Sequence, residues 1–299
     1  EKDTSGGNSE IKLTGGTINV ASSNPAGNSY AIGVYSKGDG IVLDGLGTIK
    51  QTTGQTIGIY QTGKSLLKGN GIIELAPEAT GVYLTNGAQG DSGLLNIENK
   101  LAIGTAERPI GLYYNNTVNP GSGVINKTNI NINGSSTEII GMFVEGSGVS
   151  FENQGNITLG TASGTNKDSI GIYLKDLPNS LNKGTININS KNSFGIYVKG
   201  NSSKLVNEGT VNVSGESSVG LGIIESGTQE SIHKSGIITA SGNKTTGIYL
   251  EKGKAANESV ITATAAGATG SLGVTAVGGE FRNTSTGTIN TNNIGIYGK

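Results

Sequence analysis

A glycine followed by an aliphatic residue and an aromatic one recurs along the whole chain, and its period constrains the fold more than any other feature. It reads Ile-Gly-Val-Tyr at 32–35, Ile-Gly-Ile-Tyr at 57–60, Thr-Gly-Val-Tyr at 80–83 and so on to Ile-Gly-Ile-Tyr at 294–297. The glycines stand at 33, 58, 81, 111, 141, 171, 195, 220, 247, 273 and 295, with steps of 22 to 30 residues. Such self-similarity is the mark of a solenoid, in which each unit buries its apolar face only against its neighbours. The pattern has no linker, so residues 1–299 are expected to form one continuous segment.

Within each unit the apolar positions alternate, which is strand periodicity. The residue after each motif glycine is aliphatic: Val34, Ile59, Val82, Leu112, Met142, Ile172, Ile196, Leu221, Ile248, Val274 and Ile296. These are expected inside, with the residue before the glycine and the one three after it, which leaves Gly and Tyr outward. A second segment places Ile73/Leu75, Leu95/Ile97, Ile130/Ile132, Ile157/Leu159, Ile186/Ile188 and Val211/Val213 inward. Its outward column reads Asn19, Asn96, Asn131, Asn187, Asn212 and Asn290, with Thr158, Thr239 and Thr262 between and Glu74 as its one acid. Identical residues at one strand position suit in-register parallel stacking, where side-chain amides bond along the ladder. A third short strand precedes a turn carrying Asn126, Asn153, Asn182, Asn207 and Asn257, an expected turn-asparagine ladder because Asn tolerates tight turns. The reading is all-β: a right-handed parallel β-helix of about 11 rungs, three short strands per rung, forming a rod of roughly 50 Å at strand spacing.

Composition removes several function classes. Net charge is −1, and no Lys/Arg block or basic-aromatic patch marks a nucleic-acid footprint. Without cysteine there is neither a disulfide framework nor a thiolate metal site. No apolar run reaches the ~18 residues of a membrane span.

Catalytic constellations are sparse. Glycoside hydrolysis needs two carboxylates about 5 to 10 Å apart, and no acidic pair stacks at the position four after the glycine, where Glu145 beside Lys175 suggests a cross-rung ion pair. Gly-Asp-Ser-Gly at 90–93 imitates a protease nucleophile, but the one histidine, His233, lies about five rungs away. His233 itself reads as a turn residue standing where Asn usually does. Gly-Asp-Gly-Ile-Val-Leu-Asp-Gly at 38–45 occurs once rather than in series, so no metal or cofactor is assigned. The chain is accordingly expected not to be an enzyme.

Two features suggest contact with a partner. Tyr35, Tyr60, Tyr83, Tyr113, Phe143, Tyr173 and Tyr197 share one outward position, either as a stacking ladder or as an amphipathic platform. The ladder lapses at Gly222 and Thr275, where a groove or covering loop is expected. Between 81 and 171 the step lengthens to 30, and the added residues fall in turns, where binding usually resides. The candidate partner-binding residues there are Thr85, Asn86, Asp91, Asn115, Asn116, Asn119, Thr161, Asn166, Lys167 and Asp168.

The alternation of Gly-Ile-Tyr with Asn-x-Gly-Thr-Ile-Asn-Ile, in a chain rich in Asn, Gly and Lys, resembles passenger domains of type V autotransporters, most closely the large outer-membrane adhesins of fusobacteria. The resemblance covers nearly all 299 residues. It implies a monomeric segment of a longer exported protein, held at the bacterial surface by a C-terminal β-barrel outside this sequence. It also implies a rigid stalk whose loops bind host-cell or bacterial receptors, glycan or protein. The alternatives are a carbohydrate-active β-helix enzyme, lyase or hydrolase, and a purely structural spacer.

Overall fold

The computed structural model describes residues 9–12, 14–23, 30–38, 41–45, 47–63, 65–85, 89–98, 108–115, 124–132, 137–147, 150–161, 166–265 and 270–299. Every strand pairing among them is parallel, and no helix occurs. The Gly-x-Tyr strands, from Ala31–Lys37 to Ile294–Gly298, form one sheet of eleven, one strand per coil. The other two strands of each coil belong to a twenty-stranded sheet, whose two columns merge where Leu66–Glu74 and Gln89–Glu98 run through both. One coil is Ile170–Lys175, Asn179–Asn182 and Thr185–Ile188; the next begins at Phe194–Lys199. The described residues thus form a parallel β-helix with three strands per turn.

Side chains stack in register inside the coil. Ile172, Ile196, Leu221 and Ile248 are consecutive partners, and all are buried. On the facing strands Ile157, Ile186, Val211 and Ile238 do the same. Ile296, on the last strand, is 52% exposed.

The motif glycine departs from the expected alternation. A methyl group at Gly195 would lie 2.6 Å from the Gly220 carbonyl oxygen and 2.6 Å from Cγ1 of Val211, a core residue of the facing strand. The glycine therefore points inward at the corner where two sheets close together. The preceding residue, expected inside, is displaced toward the surface: Ile32 is 39% exposed, and Ile110, Ile140 and Ile170 are half-buried. The aliphatic after the glycine still faces in, so two successive residues serve the core at this corner.

The turn asparagines form a buried amide ladder. Asn126 donates to Asn153 at 2.9 Å, Asn153 to Asn182 at 2.9 Å and Asn182 to Asn207 at 2.8 Å. His233 stands next in line. The Asn207 amide also donates to the Gly209 carbonyl and meets Nδ1 of His233 at 3.1 Å, so Nδ1 accepts and the proton sits on Nε2, which donates to the Val260 carbonyl at 3.1 Å. The ladder then resumes with Asn257 donating to Asn283 at 2.8 Å. Serines trim another corner, where Ser169 and Ser193 backbone amides donate to Oγ of Ser193 and Ser218.

The outward column of the third strand is confirmed from Asn131 through Thr158, Asn187, Asn212, Thr239 and Thr262 to Asn290, and Asn212 donates to Asn187 at 2.9 Å. Asn96 is not in it. A register irregularity between Lys68 and Asn70 shifts the pairing, so Asn96 opposes Ile72 and Asn129. The column instead runs Asn19, Lys50, Glu74, Glu98, Asn131, which gives Glu74 an acidic register partner that periodicity had not revealed.

Two measurements test this architecture. Gly195→Ala should lower stability by about 1 to 3 kcal/mol, the cost of overpacking a closed core, seen as a reduced urea midpoint; an unchanged midpoint would refute the close corner. Burial holds the His233 pKa below its ordinary value, against weaker opposing hydrogen bonds to Val260 and Asn207. A group whose folded pKa is depressed lends stability that is present above its unfolded pKa and lost as pH falls. The midpoint should therefore drop as the pH is lowered below about 6.5, the ordinary histidine value. His233→Asn should flatten that dependence while restoring the amide ladder.

Candidate functional site

Parallel stacking makes each outward position a column along the rod, so the surface divides into longitudinal stripes. The aromatic stripe is a ladder of contacting rings. Centroids of Tyr35, Tyr60 and Tyr83 are 5.5 and 4.9 Å apart with interplanar angles of 27° and 8°, which turns their faces on one another. From Tyr83 through Tyr113, Phe143 and Tyr173 to Tyr197 the neighbours meet edge to face at 4.8 to 5.1 Å. Such pairs add to sheet stability. At Gly222 no groove opens: a methyl there would lie 2.6 Å from the Phe194 ring, which covers the site and packs on Tyr197 at 5.0 Å. The missing tyrosine is thus replaced by an aromatic from the strand below.

Beside this ladder Glu145 collects donors. The Tyr113 hydroxyl donates to its Oε1, Asn115 Nδ2 donates to the same oxygen at 3.1 Å, and Lys175 Nζ donates to Oε2 at 3.1 Å. The cross-rung ion pair expected between Glu145 and Lys175 is present. Burial, then the hydrogen bond to Glu145 and its charge, drive the Tyr113 phenol far above the ordinary tyrosine range.

The proposed loop patch is only partly described. Asn86, Asn116 and Asn119 lie outside the described residues, and Asp91 is placed only by its backbone, opposite Lys68. Thr85 and Asn166 are buried, Asn115 is engaged with Glu145, and Thr161 is exposed. Lys167 and Asp168 are exposed and ion-paired to each other at 3.7 Å, while the backbones of Lys167 and Glu138 are hydrogen-bonded across coils. Residues 166–168 thus continue the stacked turn.

A different stripe carries a groove. On the outer face of strands Ser150–Asn153, Asn179–Asn182 and Leu205–Asn207, reaching Lys234 on the next coil, lies a depression of about 670 Å³, within the size range of small-ligand sites. Its floor column reads Ile125, Glu152, Leu181 and Val206 in register, so the half-buried apolar pair Leu181 and Val206 has the Glu152 carboxylate as its neighbour on the next coil. One rail is Ser150, Asn179 and Lys204 on successive coils. The other rail is Lys183, Glu208 and Lys234 on successive coils, with Lys234 Nζ on Glu208 at 2.9 Å and Lys183 Nζ reaching Glu152 of the floor column at 2.9 Å. The hydrogen bond from Gln154, and then that from Lys183, hold the Glu152 carboxyl below the ordinary carboxylate range, so it is ionised and accepts hydrogen bonds at neutral pH.

None of these residues was among the sequence candidates. Their signal lay beside the turn asparagine: the residue after it reads Gln154, Lys183, Glu208 and Lys234 on consecutive coils, an alternation of charge that only stacking turns into cross-rung pairs.

The sequence matches no protein-family model and no curated protein. Among solved structures, the chain is similar to the A-modules of the mannuronan C-5 epimerases AlgE6 and AlgE4 of Azotobacter vinelandii, with TM-scores of 0.42 and 0.41 and identities of 10% and 12%. Each likeness covers 98% of this chain and 91% of the other. Against the expectation that the chain is not an enzyme stands the finding that both of these similar β-helices are epimerase modules.

The electrostatics of the second rail can be checked directly. In carbon-13 NMR titrations, Gln154→Ala and Lys183→Met should each move the Glu152 carboxyl up toward the ordinary carboxylate range. Two unmoved titrations would dismiss the rail as drawn.

Proposed function

We propose that this chain is a carbohydrate-recognising β-helix, and that the groove over Leu181 and Val206 is where a polysaccharide or surface glycan lies. The carrying observation is the combination found there: an apolar strip with hydrogen-bonding rails on both sides. A sugar ring presents the complement, apolar faces with hydroxyls around the rim. Coils repeat at about 4.8 Å, roughly the length of one pyranose unit, so a polymer laid along the rod meets similar groups at each step. The turn beside the groove is held by the buried amide ladder Asn153, Asn182 and Asn207, so the groove is preorganised and little ordering opposes binding.

In this proposal the rod works as an adhesin stalk at a bacterial surface, a setting that rests on the sequence resemblance to autotransporter passengers. The carbohydrate-active reading is favoured by one observation of its own: Glu152, in the floor column, and Glu208, on the rail, bring two carboxylates to one groove.

The test is binding of the isolated chain to a glycan panel, followed by calorimetry on the strongest binder. Leu181→Ser combined with Val206→Ser should weaken affinity at least tenfold, about 1.4 kcal/mol, with the circular dichroism spectrum unchanged. Absence of binding to every glycan, or full affinity in the double variant, would defeat the proposal. NMR of the recovered sugar, before and after incubation, reads whether the groove also alters its ligand.

A further inference from the structure

The two rails of the groove differ in what they leave unused. On the Lys183, Glu208 and Lys234 side every charge has its opposite: Lys183 neutralises Glu152, and Lys234 neutralises Glu208. On the opposite side stand Ser150, Asn179 and Lys204, whose side chains have no partner among the described residues. Their backbones are tied coil to coil: Ser150 is the register partner of Asn179, and the amide of Ser180, next to Asn179, donates to the Lys204 carbonyl at 3.0 Å. The hydroxyl, amide and ammonium groups therefore stand on three successive coils. The nearest carboxylate further along this rail, Glu230, is already bound by Arg282 at 2.9 Å.

Among the charged residues lining the groove, Lys204 is therefore the one without an ion-pair partner among the described residues. Lys204 lines the groove without a carboxylate partner, and an anion on the ligand would supply the counter-charge that the protein does not.

Building on the carbohydrate reading above, we propose that the ligand is an acidic polysaccharide, a chain of uronic acid residues, and that Lys204 receives a sugar carboxylate with Asn179 as second donor. A carboxylate, planar and with two acceptor oxygens, can take one bond from an ammonium and one from an amide on adjacent coils. The neutral hydroxyls of the same sugar fall to Ser150 and to the carboxylates of Glu152 and Glu208. Neutral glycans have no group to compensate Lys204, and a polycation would meet it as a like charge.

The experiment compares three probes of equal length on the intact chain by calorimetry: an oligouronate, a neutral oligoglucan and a sulfated oligosaccharide. The oligouronate should bind most tightly, and its affinity should fall with added salt. Lys204→Gln should weaken oligouronate binding about tenfold and flatten the salt dependence, while leaving the neutral probe unaffected. Lys244→Gln, outside the groove, should change neither. Equal affinity for neutral and acidic probes would overturn the acidic assignment while the carbohydrate reading stood. Preference for the sulfated probe would overturn the carboxylate assignment. Binding of none of the three would remove both. If Lys204→Gln perturbs the circular dichroism spectrum, Lys204→Arg, which keeps the charge, should retain the oligouronate preference, and its loss there would count against the proposal.

Discussion

The fit of one glycine corner on the next governs the rest of the molecule. At nine of the motif glycines a core methyl of the facing strand and a carbonyl of the adjacent coil occupy the space a β-carbon would need, as Val211 and Gly220 do around Gly195. Without a side chain there, the two sheets close until their aliphatic rows interdigitate, and the interior reaches the dense packing of a protein core. Because the corner repeats, each coil sits over the last in the same orientation. Outward residues then become columns, and whatever chemistry a column holds is repeated along the rod.

Polar groups in these columns divide into those consumed by the fold and those left for solvent. The turn asparagines, corner serines and His233 are buried and hydrogen-bonded to the next coil or its backbone. A buried amide that lost its partner would cost about 1 to 3 kcal/mol, so these positions serve cohesion. The aromatic ladder belongs with them: its rings lie against one another at 4.8 to 5.5 Å. Recognition falls instead to the groove, where an apolar floor coincides with donors that no neighbouring coil has engaged. Its ion pairs are half exposed and add little to stability, yet they set which charges a ligand meets.

Much of the architecture was legible in the chain because a parallel solenoid converts linear period directly into spatial neighbours. Repetition of Gly-Ile-Tyr predicted the eleven-stranded sheet, and the asparagine two residues before each turn glycine predicted the amide ladder. Where the reading failed, local geometry had overridden strict alternation. At the motif glycine two successive residues face the core, which sends the preceding Ile32 outward. Near Lys68 and Asn70 a register irregularity displaced Asn96 from its column and set Glu98 beside Glu74. Phe194 filled the space over Gly222 because a strand neighbour can reach where a missing side chain leaves room.

What the sequence by itself determined is the class of fold and the identity of the stacked core, since period and side-chain alternation dictate these through backbone geometry alone. What only the tertiary structure decided is which surface residues act together. Glu152 and Lys183 are 31 positions apart and meet because one coil lies on another. Lys204 is conspicuous only once the neighbouring charges are seen to be paired. Pairing depends on distances across coils, and a linear pattern carries no such distances until the corner glycines have set the height of each rung.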